Sequence, residues 1–208
     1  MGDAILEVED VTRRFGPVRA NDAVSLQARP GEVVGLLGHN GAGKTTLVSQ
    51  LVGLLRPDSG SIRVVGVDAD EHPATVRRCV GLQAQAQAPL DGLTPREAIE
   101  IAGRLRGMSR VAAREAAERM ADELDIGEWF HRRAGPDGGG ISGGVRRLTA
   151  FAMAAVAPVP LVILDEPTND VDAAPRPAVG GCGAWSAGSG TRVPGSSWSP
   201  IMSPRPHM

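Results

Sequence analysis

The sequence predicts an α/β domain built on buried parallel strands, and three observations lead there. Val33-Val34-Gly35-Leu36-Leu37 is a short apolar run without alternation, the pattern of a strand covered on both faces. It runs straight into Gly38-His39-Asn40-Gly41-Ala42-Gly43-Lys44-Thr45-Thr46, a glycine-rich turn after which Leu47, Leu51, Leu54 and Leu55 fall at helical spacing. A second apolar run, Leu161-Val162-Ile163-Leu164, ends in two acids, Asp165 and Glu166. Open α/β sheets build their sites at the carboxyl ends of such strands.

The remaining elements follow in chain order. Residues 4–11 alternate, with Leu6 and Val8 on one face and Glu7 and Glu9 on the other, and Val24, Leu26 and Ala28 alternate again before Pro30-Gly31. Both segments read as half-buried strands. Arg56-Pro57-Asp58-Ser59-Gly60 stops the helix that begins at Lys44. Thr94-Pro95-Arg96-Glu97 is a helix start: an N-cap threonine, a proline at the first helical position and a glutamate at the third. Val111 or Ala112, Ala116, Met120 and Leu124 mark one face of a further amphipathic helix. Gly135 to Gly140 reads as a loop, and residues 145–157 as a helix that leads to the second buried strand.

Composition excludes several classes of function. The chain has 208 residues, 42% hydrophobic and 22% charged, with a formal net charge of -2, the profile of one soluble globular domain. With a pI near 6.1 and no basic stripe, nucleic acid is a poor partner. Cys79 and Cys182 are too few for a disulfide framework and lack metal-ligand spacing, so a reducing compartment is expected. No run approaches the roughly 18 apolar residues of a membrane span, and Met1 to Asp10 lacks a signal pattern. The expectation is a cytoplasmic protein that reaches a membrane only through a partner.

Of the 22 basic residues 21 are arginine, and the only lysine is Lys44. It lies in Gly38 to Thr45, which fits G-x-x-x-x-G-K-[ST] between a buried strand and a helix. There the glycines let backbone N–H groups converge on phosphate oxygens, the helix start adds its positive end, and Lys44 places a compact charge on the outer phosphates. Thr45 supplies a hydroxyl for Mg²⁺. Asp165 would hold Mg²⁺ through its water shell, and Glu166 could polarise a water that attacks the terminal phosphate.

With these residues in hand, the chain resembles the ATP-binding subunit of an ABC transporter over residues 4–172. Gly38 to Thr46 resembles that family's Walker A loop, and Leu161 to Glu166 its Walker B strand with the adjoining glutamate. Ile141-Ser142-Gly143-Gly144-Val145 resembles its signature and Asn169-Asp170-Val171-Asp172 its D-loop. Ser142 and Asp165 stand 23 residues apart, as the intervening helix and strand require. The resemblance implies an ATP-binding domain over residues 1–172, with a parallel core sheet, an antiparallel β subdomain and a helical subdomain at about 86–150.

It also implies roles. Phe15 would stack on adenine, and Gly38, His39, Asn40, Gly41, Ala42, Gly43, Lys44, Thr45 and Thr46 would hold ATP. Thr45, Asp165 and Gln85 would face Mg²⁺, with Gln83 and Gln87 as neighbouring candidates, and Glu166 would be catalytic. Ala84 and Val145 depart mildly from the family pattern. Partners would be a second ATP-binding subunit, paired head to tail so that Ser142, Gly143 and Gly144 meet its ATP, and a membrane permease on whose inner face the chain sits. The wording from Asp165 to Asp172 is most like exporters.

After Asp172 the pattern breaks. Residues 173–208 hold six glycines, six prolines and six serines, with no Leu, Lys, Asp or Glu, and read as a disordered tail. The family has a helix there, then an apolar strand ending in a threonine and a histidine; His207, in Pro204-Arg205-Pro206-His207, is no substitute. A reading frame one base earlier makes Ser196, Ser197 and Trp198 apolar and Ser199 and Ser203 valine. Pro200, Ile201 and Met202 can then become Thr-His-His, close to where the family places its switch. The reading is a tail translated out of frame, the C-terminal part of the core being lost. Two central strands left unpaired would expose backbone groups at roughly 1–3 kcal/mol each, so poor folding or ATP binding without efficient turnover is expected. The nucleotide sequence around codons 172–178 checks the frame: a one-base slip that restores a family-like ending is expected, and its absence sinks the idea.

Overall fold

The computed structural model describes residues 4–85, 90–136, 139–165 and 199–202. The chain divides into two compact units, one of residues 1–79 and 175–208, the other of residues 80–174.

The first unit is organised by a four-stranded antiparallel sheet. Strands β1 (Leu6–Phe15) and β2 (Val18–Ala28) form a hairpin closed by Gly16 and Pro17, with Leu6 opposite Ala28 and Phe15 opposite Val18. After β3 (Val34–Leu37) and helix α1 (Lys44–Leu51), β4 (Ser59–Val64) pairs with the free side of β1, and β5 (Val67–Asp68) with β4. Alternation places Leu6, Val8, Val24, Ile62 and Val64 in the core, where Leu47 and Leu51 of α1 are also buried. The ladder of β1 and β2 is interrupted at Asp10 and Ala23, both at positive φ. Hydroxyls take up the amides that these bulges displace: Ser25 Oγ accepts from the Asp10 N–H at 2.9 Å and Thr12 Oγ1 from the Ala23 N–H at 3.0 Å.

Three expectations are corrected in this unit. Helix α1 stops at Leu51, because Gly53 takes a left-handed φ of +64° and turns the chain; Leu54, read as a continuation of the apolar face, is exposed. Strand β3 is half-buried rather than covered on both faces, and Leu37 is exposed. Its partner is antiparallel: β8 (Ser199–Met202) lies along it, with Val34 opposite Met202 and Pro200 opposite Leu36. Those four residues fall in the stretch read as coil. Pro200 brings no N–H, which suits a short outer strand better than an interior one.

The second unit contains helix and one parallel pair, after α2 (Pro73–Cys79) has closed the first. Strands β6 (Val80–Gln83) and β7 (Leu161–Leu164) run parallel, Val80 opposite Leu161 and Gln83 opposite Leu164. Val162 and Leu164 are each 39% exposed, so this strand is also less covered than its composition suggests. The helices are α3 (Pro95–Leu105), α4 (Arg110–Glu123) and α5 (Gly143–Ala155), with a 3₁₀ turn at Gly127–Trp129. Their core contains Ile99, Ala116, Ala117, Ile126, Phe130, Ile141, Val145 and Ala152. The buried face of α4 is Ala113, Ala116, Ala117 and Ala121; of the two alternatives read at its start, Val111 is 67% exposed and Ala112 half-buried. Close packing of α3 on α4 selects the small residues: a Cβ on Gly103 would lie 3.2 Å from that of Ala113. Among the described residues no helix is long and apolar enough to cross a membrane.

The start of α3 is built as the sequence predicts. Thr94 Oγ1 accepts the Glu97 N–H at 3.1 Å and Glu97 Oε2 accepts the Thr94 N–H at 2.8 Å, a closed capping box. The Thr94 main-chain N–H, with the Thr94 hydroxyl and the Arg133 and Arg96 charges behind it, holds the Glu97 carboxyl below the ordinary glutamate range. A lowered folded pKa means that the box's contribution is complete above about pH 4.3 and fades as pH falls through the folded value. Thr94→Ala should cost about 1 kcal/mol by urea melting, and Glu97→Gln should flatten the acid limb of a stability-against-pH curve.

Candidate functional site

The turn between β3 and α1 is shaped by what its residues lack. Gly41 and Gly43 hold φ of +82° and +86°, conformations that L side chains rarely adopt. A Cβ on Gly43 would lie 2.0 Å from the Ala20 carbonyl oxygen, so strand β2 backs directly onto the loop. Gly43 stands at the N-cap of α1 and offers no side-chain cap, which leaves the helix start open to an anion. Lys44 folds back over the turn, its Nζ donating to the Gly38 carbonyl at 2.8 Å and the His39 carbonyl at 3.0 Å. Its charge is thus held by the first two carbonyls of the turn. His39 Nδ1 donates to the Asn40 carbonyl at 2.8 Å, and the buried Ala42 donates its N–H to the His39 carbonyl at 3.1 Å. Thr45 is exposed on the first turn of α1, with Thr46 half-buried beside it.

Sequence reading missed one support of this loop. Asn21 is only 1% exposed, and its Nδ2 donates to the Gly43 carbonyl at 3.2 Å. Strict alternation from Val24 and Leu26 places Asn21 on the opposite face; the bulge at Ala23 resets the phase and turns it inward. Phe15, at the end of β1, is 48% exposed, with the Arg13 guanidinium 5.0 Å from its ring centroid and Arg13 tied to Asp58 at 2.6 Å.

The other predicted residues belong to the second unit. Ser142 is the N-cap of α5: its Oγ accepts the Val145 N–H at 3.3 Å, and Gly143 and Gly144 form the first turn. Asp165, buried, follows β7 and donates its N–H to the Gln83 carbonyl at 2.9 Å. Gln85 is exposed just beyond β6. Gln83, one of the neighbouring candidates, is instead buried, its Nε2 donating to the Arg147 carbonyl at 3.2 Å. Arg147 then joins the two strand ends, Nη1 donating to the Gln85 carbonyl at 3.1 Å and Nη2 to the Asp165 carbonyl at 3.0 Å. The structure therefore brings Gln85, Asp165 and the helix of Ser142 together. Gln87, Glu166 and residues 169–172 lie outside the described residues.

The donor chemistry suits a phosphate ester with a hard cation. In the first unit Thr45 offers a hydroxyl, and in the second Asp165 offers a carboxylate and Gln85 an amide oxygen, each an oxygen donor of the kind Mg²⁺ accepts. Among the described residues no group of His, Cys, Asp and Glu is placed to hold a metal ion without such help.

Comparison with known proteins agrees with this geometry. A family model described as ABC transporter matches residues 21–169. The chain belongs to the ABC transporter family. The doxorubicin resistance ATP-binding protein DrrA of Mycobacterium tuberculosis is 38% identical over 179 residues, 85% of this chain and 53% of that protein. The ABC transporter ATP-binding protein NatA of Bacillus subtilis is 35% identical over 173 residues, 81% of this chain and 69% of that protein. The chain spans about half the length of the DrrA relatives it matches. Among solved ABC structures, cbiO1 from Clostridium perfringens superposes with a TM-score of 0.69 at 24% identity, over 82% of this chain and 68% of that one. A dimeric ATP-binding cassette bound to ADP and Pi gives 0.67 at 23%, over 81% and 76%. These likenesses show the α/β P-loop fold.

The close approach of β2 to the ABC phosphate loop has a measurable consequence. Gly43→Ala must move the Ala20 carbonyl and place a side chain at a left-handed φ, so it should destabilise the chain by about 2 kcal/mol or more in urea melts. An unchanged midpoint would show that β2 does not restrain the loop.

Proposed function

We propose that this chain is the ATP-binding subunit of an ABC transporter, coupling ATP to movement of a substrate through a membrane permease, in the direction of export. One observation supports it above the rest: the only lysine of the sequence lies folded over a glycine turn at an uncapped helix start, a cradle for the outer phosphates of a nucleotide. Phe15 supplies an exposed aromatic face for the adenine. Lys44 and the loop amides bind the phosphates, and Thr45, Asp165 and Gln85 hold Mg²⁺, which when bound neutralises charge on the phosphate oxygens. Glu166 orients the attacking water as general base. Ser142, Gly143 and Gly144, at the start of α5, face the ATP of a second subunit paired head to tail, and the chain sits on the cytoplasmic side of the permease. The relatives named for doxorubicin resistance favour export.

A second reading is binding with weak turnover. It is favoured by the antiparallel pairing of β3 with Ser199–Met202, a segment carrying neither the threonine nor the histidine that the family's switch uses.

Titration of the full chain with a fluorescent ATP analogue and Mg²⁺ tests the first reading. Saturable binding is expected, and Lys44→Ala should weaken it at least about tenfold, the loss of a charge-assisted contact to phosphate. No binding by the unaltered chain would overturn the proposal. Robust ATP hydrolysis by the same preparation would remove the weak-turnover reading alone.

A further inference from the structure

Arg147 is a buried cation on α5, five positions beyond Ser142, and its guanidinium donates to main-chain carbonyls at the ends of two strands. Its two terminal nitrogens divide between the carbonyls of Gln85 and Asp165, at 3.1 and 3.0 Å. Its own carbonyl accepts the Gln83 side-chain amide at 3.2 Å, and the Gln83 carbonyl accepts the Asp165 N–H at 2.9 Å. Arg147, Gln83 and Asp165 close a ring of hydrogen bonds around the ends of β6 and β7, with Gln85 attached to it through Arg147. A guanidinium suits the position because its planar fork holds two acceptors at fixed angles, whereas an ammonium is a single point donor on a flexible stem. Through these two carbonyls it holds the backbone that presents Gln85 and Asp165.

We propose that Arg147 is the positioning residue that fixes Gln85 and Asp165 relative to one another and to the helix beginning at Ser142, so that the Mg²⁺-facing residues and the signature helix move as one body. The inference rests on the assignment of Gln85 and Asp165 to Mg²⁺ made above. Its mechanical content is that a displacement of α5 cannot leave the two strand ends where they were. Outer residues of this kind commonly govern metal affinity as strongly as some direct ligands.

Two measurements on the full chain test it. The first is amide hydrogen exchange in peptides covering residues 81–85, 142–155 and 161–165; the second is the Mg²⁺ concentration for half-maximal enhancement of fluorescent ATP binding. Arg147→Met, which keeps the apolar stem, should speed exchange in residues 81–85 and 161–165. It should also raise the half-maximal Mg²⁺ about tenfold, while affinity in EDTA stays within about twofold because the phosphate loop is untouched. Arg147→Lys should fall between the two, since it restores charge without the fork, and it carries the same criteria if the methionine variant does not fold. Unchanged exchange with an unchanged Mg²⁺ requirement would overturn the proposal, as would an equal loss of affinity with and without Mg²⁺. If the unaltered chain binds no nucleotide, the ATP-binding reading fails, and exchange alone decides: faster in the variants supports the ring, unchanged refutes it.

Discussion

The position of the Ala20 carbonyl against Gly43 governs the first unit. Strand β2 presses its backbone to within 2.0 Å of where a side chain on Gly43 would begin, so the loop can exist only with glycine there and only at its left-handed φ. Because Gly43 is also the N-cap, the same contact sets where α1 starts and so where Lys44 and Thr45 stand on its first turn. Asn21 adds a bond from β2 to the Gly43 carbonyl, the one polar group of that residue still facing the strand. The loop borrows its rigidity from a strand that is itself paired with β1. A site that must receive charge gains from this arrangement, since its amides need not reorganise when the anion arrives.

In the second unit rigidity comes from buried arginine, and two consecutive residues of α5 share the work. Arg146 reaches the Asp91 carboxylate at 3.0 Å and the Gly135 carbonyl, fastening the helix to the loops around α3. Arg147 reaches the opposite way, to the ends of β6 and β7. Side chains one residue apart diverge by about 100° around a helix, so a consecutive pair can grip two neighbours at once. Taking these cations out of water is costly, and the terminal nitrogens of each are compensated by carbonyl or carboxylate acceptors. Ser142 caps the same helix one turn earlier, so one element holds that cap, the link to Asp91 and the link to Asp165.

Much of this was legible in the sequence wherever the determining contact is local. The glycine pattern of the loop before α1 and the Thr94 capping box are carried by residues within a few positions of one another, and each was read from its residue types. Features set by distant contacts were not. Asn21 turns inward because of a bulge that propensity does not announce, and the alanine face of α4 follows from how closely α3 approaches rather than from which residue is most apolar. Strands β4 and β5 carry glycine, serine and aspartate and offer only short alternation, so their membership of the sheet rests on pairing with β1. Arg147 looks like an ordinary solvated charge until residues 62 and 18 positions away are placed beside it.

The two strands that most resemble core strands are the least well covered. β3 and β7 are made almost wholly of Val, Leu and Ile, yet both are partly exposed. Residues like these are placed in a strand when sheet lies beside it and helix lies over both faces, because each half-covered apolar side chain forgoes much of the roughly 1.5–3 kcal/mol that full burial supplies. Among the described residues β7 pairs on one side only, with β6, and β3 pairs with an antiparallel segment containing Pro200. Residues 173–198 contain no leucine, isoleucine or phenylalanine, the side chains that usually supply such cover. Strands in this condition are templates for further pairing. The composition of β3 and β7 therefore belongs to a more complete sheet than residues 173–208 are equipped to finish, whereas the phosphate loop, held by β2, does not depend on that completion.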